Sequence, residues 1–295
     1  MSTIGTSLNR VSAAFGTRPG WGVRRAIRLA PAWVLLAIVA ASTLYPMLFI
    51  LFTSLKSVSE FATNPLGPPS EPTLGNIQEV LSRGLLGTNV LNSLLISTLT
   101  VAVVVTISCL AGFALAFLRF RLRRTILLGI VGLLIQPTAL LMIPVVLIVS
   151  NLGLISTYLG IVLVYAGLGI PFGIYLMYSY MVTVPREIID AARVDGASTF
   201  QVLYRVAIPV VAPALGALAT LSFIGWWNEF LFALLILQDG SQQTIIVALG
   251  SLQGEHFLHV PLVAAGMLFS IIPPLTVFVI LHRRLFSGLT AGALK

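Results

Sequence analysis

The sequence predicts an all-α membrane protein, with six transmembrane helices and a cytoplasmic helix–turn–helix elbow between the fourth and fifth. Three observations lead there. Of 295 residues, 58% are hydrophobic and only 9% charged, whereas a soluble domain carries about 25% charged residues. So few polar side chains cannot cover a globule, and lipid must be the solvent for much of the chain. Charges are also absent between Arg28 and Lys56, between Arg83 and Arg119, and between Arg124 and Arg186. Finally, Lys and Arg gather in alternate connections between the apolar runs, as they do when loops alternate across a bilayer.

The first run holds 27 uncharged residues. A secretory signal core has only about 7–15, and about 20 span the hydrocarbon core, so a retained helix is expected near 31–54. The second is expected near 88–118. The uncharged stretch 125–185 is too long for one crossing and breaks at Asn151–Thr157, giving spans near 125–150 and 157–181. The fifth is expected near 206–237, with Glu229 inside it, and the sixth near 261–282. Ten-residue alternating segments are missing, which excludes a transmembrane β-barrel.

With six spans, fifteen Lys and Arg fall on one side and only Lys56 and Arg83 on the other. The positive-inside rule then places both termini in the cytoplasm. The net charge of +8 therefore reflects membrane orientation, and nucleic acid is not expected as a partner. The expected organisation is a cytoplasmic arm over 1–28, a transmembrane domain over 29–284 with its core at 88–282, and a cytoplasmic tail over 285–295. Residues 1–20 read as a flexible arm. The outer segment 56–87 is proline-rich with little periodicity.

The connection from Pro185 to Pro209 is more than a linker. Pro185 suits the first position of a helix, and Glu187 and Asp190 follow where the helix dipole favours acids. Ile188, Ile189 and Ala192 give an apolar face. Gly196 then ends the helix in the left-handed conformation. Ser198 and Gln201 form a capping box for a second helix, whose apolar face is read as Phe200, Leu203 and Tyr204.

Asp190-Ala191-Ala192, Gly196 and Val206-Ala207-Ile208-Pro209, at their spacing, resemble the E-A-A-x3-G-x9-I-x-L-P loop of ABC-importer permeases. Asp190, Val206 and Ile208 depart from that pattern while keeping charge or apolar character. Ser54-Leu55-Lys56, Thr73-Leu74-Gly75-Asn76, Asn92-Ser93-Leu94, Asn151 to Tyr158, Trp227-Asn228-Glu229-Phe230 and Gly288 to Gly292 are similar to the smaller, six-span permease of maltose-permease-like carbohydrate importers. The resemblance implies that Asp190, Ala191, Ala192, Gly196 and Pro209 belong to an ATPase-coupling element. It implies a second related permease, two ATP-binding subunits, an extracytoplasmic solute-binding protein and surrounding membrane lipid as partners. ATP and Mg would be used by the ATPase, with no cofactor bound by this chain.

Each position also has a plainer reading. Asp190 pairs readily with Arg186 or Arg193 along its own helix, a contact of about 0.3–0.5 kcal/mol. Glu229 is an ionisable group in an apolar run, which marks a candidate solute path. It also lies roughly 35 Å beyond Val206 at 1.5 Å per residue, where the outer interface would accept an acid. Trp226 and Trp227 read equally as interfacial anchors. Gln136, Trp227, Asn228 and Glu229 are the solute-path candidates, with interhelical hydrogen bonding the alternative for Gln136 and Asn228.

Glu255, His256 and His259 fall short of a metal site. The sequence contains no phosphate-cradling G-x-x-x-x-G-K-[ST] motif and no nucleophile elbow, so no catalytic residue is expected. The rival function is an ion-coupled secondary transporter, which needs broken midplane helices and intramembrane carboxylates. Only Glu229 meets that need.

Overall fold

The computed structural model describes residues 21–84, 87–255 and 259–292. The expected arm over 1–20 and His256 lie outside the described residues. The described residues are mostly helical, with no strand among them. Among the described residues four helices are long and apolar enough to cross a membrane, and two bent helix pairs raise the number to six if each is one span.

The chain divides into two units, residues 1–50 and 51–295. The first consists of helix α1 (Trp21–Ser54) as far as Ile50. This helix starts seven residues before the expected end of the arm, and its side chains from Leu29 to Leu48 are exposed.

The second unit opens with a knot, not the featureless segment expected. Helices α2 (Val58–Thr63) and α3 (Gly75–Ser82) are tied to the end of α1. Asn76 Nδ2 donates to the carbonyls of Ser54 (2.9 Å) and Lys56 (2.8 Å). Lys56 is fully buried, and its ammonium donates to the carbonyls of Asn64 (2.6 Å) and Pro65 (3.4 Å). Buried carbonyls stripped of a donor cost about 1–3 kcal/mol. Asn76→Ala is therefore expected to lower the thermal unfolding midpoint of the detergent-solubilised protein. An unchanged midpoint would mean that the knot carries no stability.

Helices α4 (Thr88–Phe117) and α7 (Tyr158–Met181) form the most extensive helix–helix seam. Small residues allow it: a Cβ on Gly112 would lie 2.8 Å from Met177 Cβ and 3.0 Å from the Tyr178 backbone nitrogen. Lipid supplies no hydrophobic drive between helices, so close backbone approach must hold the seam. At the start of α4, polar groups grip the loop before α13 (Ile245–Glu255). Asn89 and Asn92 donate to the Gln243 carbonyl, Asn92 also to that of Ser241, and Ser93 Oγ accepts from Ile245 N–H. In the same loop the Ser241 backbone N–H donates to Asp239, holding that carboxyl below the usual aspartate range.

Two expected spans are not single helices. The third breaks into α5 (Arg123–Ile135), a 3₁₀ turn at Thr138–Leu141 and α6 (Met142–Asn151), bent by 95°. Pro137 excludes the preceding residue from helical backbone, and Gln136 is extended at φ −73°, ψ 127°. Gln136 is thus exposed at a bend, and its side chain makes no hydrogen bond among the described residues.

The run 206–237 is broken twice. Pro209 and Pro213 each remove a backbone donor and push against the turn before them. A π turn at Leu203–Ala207 absorbs the first. At the second the chain bends by 78° between the short α10 (Ile208–Val210) and α11 (Ala212–Trp227). After α11 it leaves helix at Asn228–Phe230 and restarts as α12 (Leu231–Ile236). Glu229 lies in this joint, outside any helix, and the 35 Å distance from Val206 does not apply. The last helix, α14 (Val260–Gly292), continues through most of the expected tail.

Candidate functional site

Two places gather the predicted residues. The first is the elbow, formed by α8 (Arg186–Val194) and α9 (Thr199–Val202). Pro185 caps α8 from just outside it, one position earlier than expected. Gly196 takes φ +81°. Its N–H donates to the Arg193 carbonyl and that of Ala197 to the Ala192 carbonyl, each at 3.0 Å. These two bonds make a Schellman ending, which needs a left-handed residue between them. The capping box is present in full: Ser198 Oγ accepts from Gln201 N–H and Gln201 Oε1 from Ser198 N–H.

The elbow's buried face is Ile189, Ala192, Ala197, Val202 and Leu203, seated against Phe113 and Phe117 of α4 and Met177 and Met181 of α7. Its exposed face carries Val194 at 87%, Phe200 at 69% and Tyr204 at 66%. Expectation placed Phe200 and Tyr204 inward with Leu203, and Ile188 with Ile189. Instead Ile188 is exposed, Val202 takes the inner position, and of Phe200, Leu203 and Tyr204 only Leu203 is buried. Asp190 is exposed, 3.4 Å from Arg193. Ala191 and Pro209 are exposed too.

The second place is the end of α11. Glu229 accepts from the N–H groups of Phe232 (3.0 Å) and Ala233 (3.1 Å) in the first turn of α12. Tyr165 of α7 donates its hydroxyl to the same carboxylate at 2.7 Å. Three donors thus satisfy Glu229 within the chain, and its placement at a helix N-terminus is electrostatically favourable. Trp227 is 1% exposed, with Nε1 donating to the Ser270 carbonyl at 3.1 Å. It is a core residue rather than an interfacial anchor. Asn228 is exposed and donates to the Ile224 carbonyl.

Its neighbour Trp226 differs. The indole stacks on the Tyr165 ring at 4.7 Å, and its buried N–H has no acceptor among the described residues. It borders a cavity of about 290 Å³ with Leu168, Gly169, Phe172, Leu221, Ser222 and Gly225. Glu229 fixes Tyr165, Tyr165 stacks on Trp226, and Trp226 forms part of the wall of a neutral cavity. Adjacent tryptophans are alike in sequence. Only the rotation of α11 separates them: the residue pattern pointed to Trp227, and the structure buries Trp227 and places Trp226 at the cavity.

Residues 105–290 match the family model described as the binding-protein-dependent transport system inner membrane component. The chain belongs to this family. The matched residues include both the elbow and the cavity. The permease is 32% identical, over the full length of both chains, to the sulfoquinovosyl glycerol transport system permease protein SmoH of Agrobacterium fabrum. It is also 32% identical to the trehalose/maltose transport system permease protein MalG of Thermococcus litoralis, over 89% of this chain and 94% of that one. Its fold matches a chain of a bacterial ABC transporter involved in the import of the acidic polysaccharide alginate, with TM-score 0.75 and 26% identity over 91% of this chain and 98% of that one. The protein is thus a multi-pass inner-membrane permease of an ABC importer, a non-enzymatic component whose ATPase is a separate subunit. The ion-coupled secondary transporter is set aside.

Proposed function

We propose that the permease forms half of the translocation path for a carbohydrate or glycoside, beside a second related permease. The observation that carries this reading is the elbow, whose Gly196 reversal presents three large apolar side chains to solvent on the side rich in Arg. The partners of the elbow are two ATP-binding subunits, which use ATP and Mg, with none bound by this chain. Asp190, Ala191, Ala192, Gly196 and Pro209 frame the docking element. A solute-binding protein delivers solute from outside.

The elbow is seated on the ends of α4 and α7, and α9 runs through the π turn towards α11. Displacement of the elbow by closing ATPases would therefore move both helices that line the Trp226 cavity. Carbohydrates offer C–H faces to aromatic rings and hydroxyls to donors, and the cavity supplies Trp226, Phe172 and Ser222 without a charge. Gln136, Trp227, Asn228 and Glu229 then divide: Trp227 and Glu229 position the site from behind, while Gln136 and Asn228 remain exposed. Trp226→Ala is expected to raise the half-saturating solute concentration about 5–10-fold, the equivalent of ~1–1.4 kcal/mol of aromatic contact. Tyr165→Phe, which keeps the stacked ring but loses the hydroxyl bond to Glu229, should raise it by a smaller factor than Trp226→Ala. Equal uptake curves for Trp226→Ala and wild type would remove the cavity from the path.

Six spans with both termini inside follow if each bent pair crosses once. Reporter fusions at Gln78 and Gln253 should read outside, and fusions at Thr199 and Lys295 inside. A Thr199 fusion reading outside would deny the elbow its ATPase. Affinity purification of the tagged permease should bring an ATPase with it, and recovery of the permease without one, from cells expressing the whole transporter, would refute the reading.

A further inference from the structure

A cavity of about 300 Å³ lies between the end of α4 and α8. Its walls carry three guanidinium groups, Arg119, Arg186 and Arg193, against one carboxylate, Asp190. Among the described residues Asp190 engages Arg193 alone. Arg119 and Arg186 make no ion pair or side-chain hydrogen bond among the described residues. The other wall is apolar: Phe117 and Ile189 belong to the buried cluster under the elbow. Phe117 ends α4, and the uncharged run that opens after Arg83 closes at the next residue, Leu118, so the cavity sits where hydrocarbon gives way to water. The α8 N-terminus beside it has no side-chain cap, which adds to the attraction for an anion.

We propose that this cavity is a specific site for the phosphate headgroup of an anionic phospholipid. Guanidinium forks match phosphate oxygens in pairs, and an apolar wall beside them suits the glycerol and upper acyl chain. A soluble anion would use the arginines but gain nothing from Phe117. An acidic side chain of an ATPase would need the cavity to face its cleft, whereas the aromatic elbow surface of Phe200 and Tyr204 lies on another segment. Lipid occupying this cavity would brace the elbow against α4, so that coupling depends on membrane composition. The inference rests on the cytoplasmic placement proposed above only in naming the leaflet.

The test uses the whole transporter in nanodiscs of phosphatidylcholine alone or mixed equally with phosphatidylglycerol. Native mass spectrometry counts the phosphatidylglycerol retained, and a spin-labelled phosphatidylglycerol gives its affinity. Arg119→Gln with Arg186→Gln is expected to retain one fewer lipid per permease and to bind it roughly thirty-fold more weakly, at about a factor of five per arginine. Arg121→Gln with Arg124→Gln removes equal charge outside the cavity and should retain wild-type binding. Equal loss in both pairs would show diffuse surface attraction and overturn the proposal. Displacement of the lipid by inorganic phosphate would overturn it in favour of a soluble anion. Loss of the ATPase from the Arg119→Gln, Arg186→Gln transporter in pure phosphatidylcholine would assign the cavity to a protein contact instead. Since lipid is read separately from ATPase retention, the lipid site can fail while the coupling role of the elbow stands.

Discussion

Gly112→Leu is expected to abolish accumulation of the folded permease, the largest effect of any single substitution considered. The nearest neighbours of a new side chain there are Met177 Cβ at 2.8 Å, the Tyr178 nitrogen at 3.0 Å and the Met177 carbonyl carbon at 3.2 Å. Two of these are backbone atoms, which cannot rotate away as a side-chain tip would. The seam between α4 and α7 must open along its length. Overpacking in well-packed cores costs about 1–3 kcal/mol even where side chains can yield. Here a rigid backbone raises that cost, and both the elbow seat and the Trp226 cavity depend on the same seam. Gly129→Leu is the matched control, because nothing lies within 4 Å of a Cβ added at Gly129. Fluorescence-detected size exclusion of tagged variants should show a normal monodisperse peak for Gly129→Leu and aggregate or nothing for Gly112→Leu. A normal peak for both would mean that the α4–α7 approach is not required.

The second large effect belongs to Gly196. Open space surrounds its Cβ position, so a side chain meets no neighbour and acts only through the backbone at φ +81°. For a residue with Cβ the left-handed region costs about 1–2 kcal/mol, and a β-branched one sits at the upper end. If that cost falls on the docking conformation, its population drops roughly 5–30-fold. Asparagine enters this region far more readily. Gly196→Val should therefore lose ATPase association at matched expression while Gly196→Asn keeps it. The seam predicts loss of folding and the turn predicts loss of partnership, so one purification separates the two.

The uncharged runs were legible because lipid forbids charge over a span, and that rule holds whatever the helices do inside. The turn at Gly196 was legible for a similar reason: glycine and a capping box act within a few residues. The breaks at Gln136–Pro137 and Val211 were written in the prolines, yet an apolar run long enough to cross hides them, since hydropathy does not register direction. The inner and outer faces of α9 were misread because a helix of one turn carries too few residues to declare its rotation, which its seat on α4 and α7 decides. Trp226 and Trp227 show the same limit at one position: which tryptophan meets the cavity depends on the seat of α11 against α7 and α14, which no short stretch of sequence contains.

The most direct test of the account is ATP-driven solute uptake into vesicles holding the complete transporter, with ATP hydrolysis recorded on the same preparation, for wild type, Gly196→Asn, Gly196→Val and Asp190→Lys. The account predicts coupled uptake in wild type and Gly196→Asn. It predicts that Gly196→Val and Asp190→Lys, although inserted and folded, lose uptake together with the ATPase or hydrolyse ATP without moving solute. If Asp190 serves only its 3.4 Å contact with Arg193, its replacement costs a few tenths of a kcal/mol and uptake survives. Normal uptake with normal ATPase retention in both Gly196→Val and Asp190→Lys would contradict the claim that this elbow couples hydrolysis to transport.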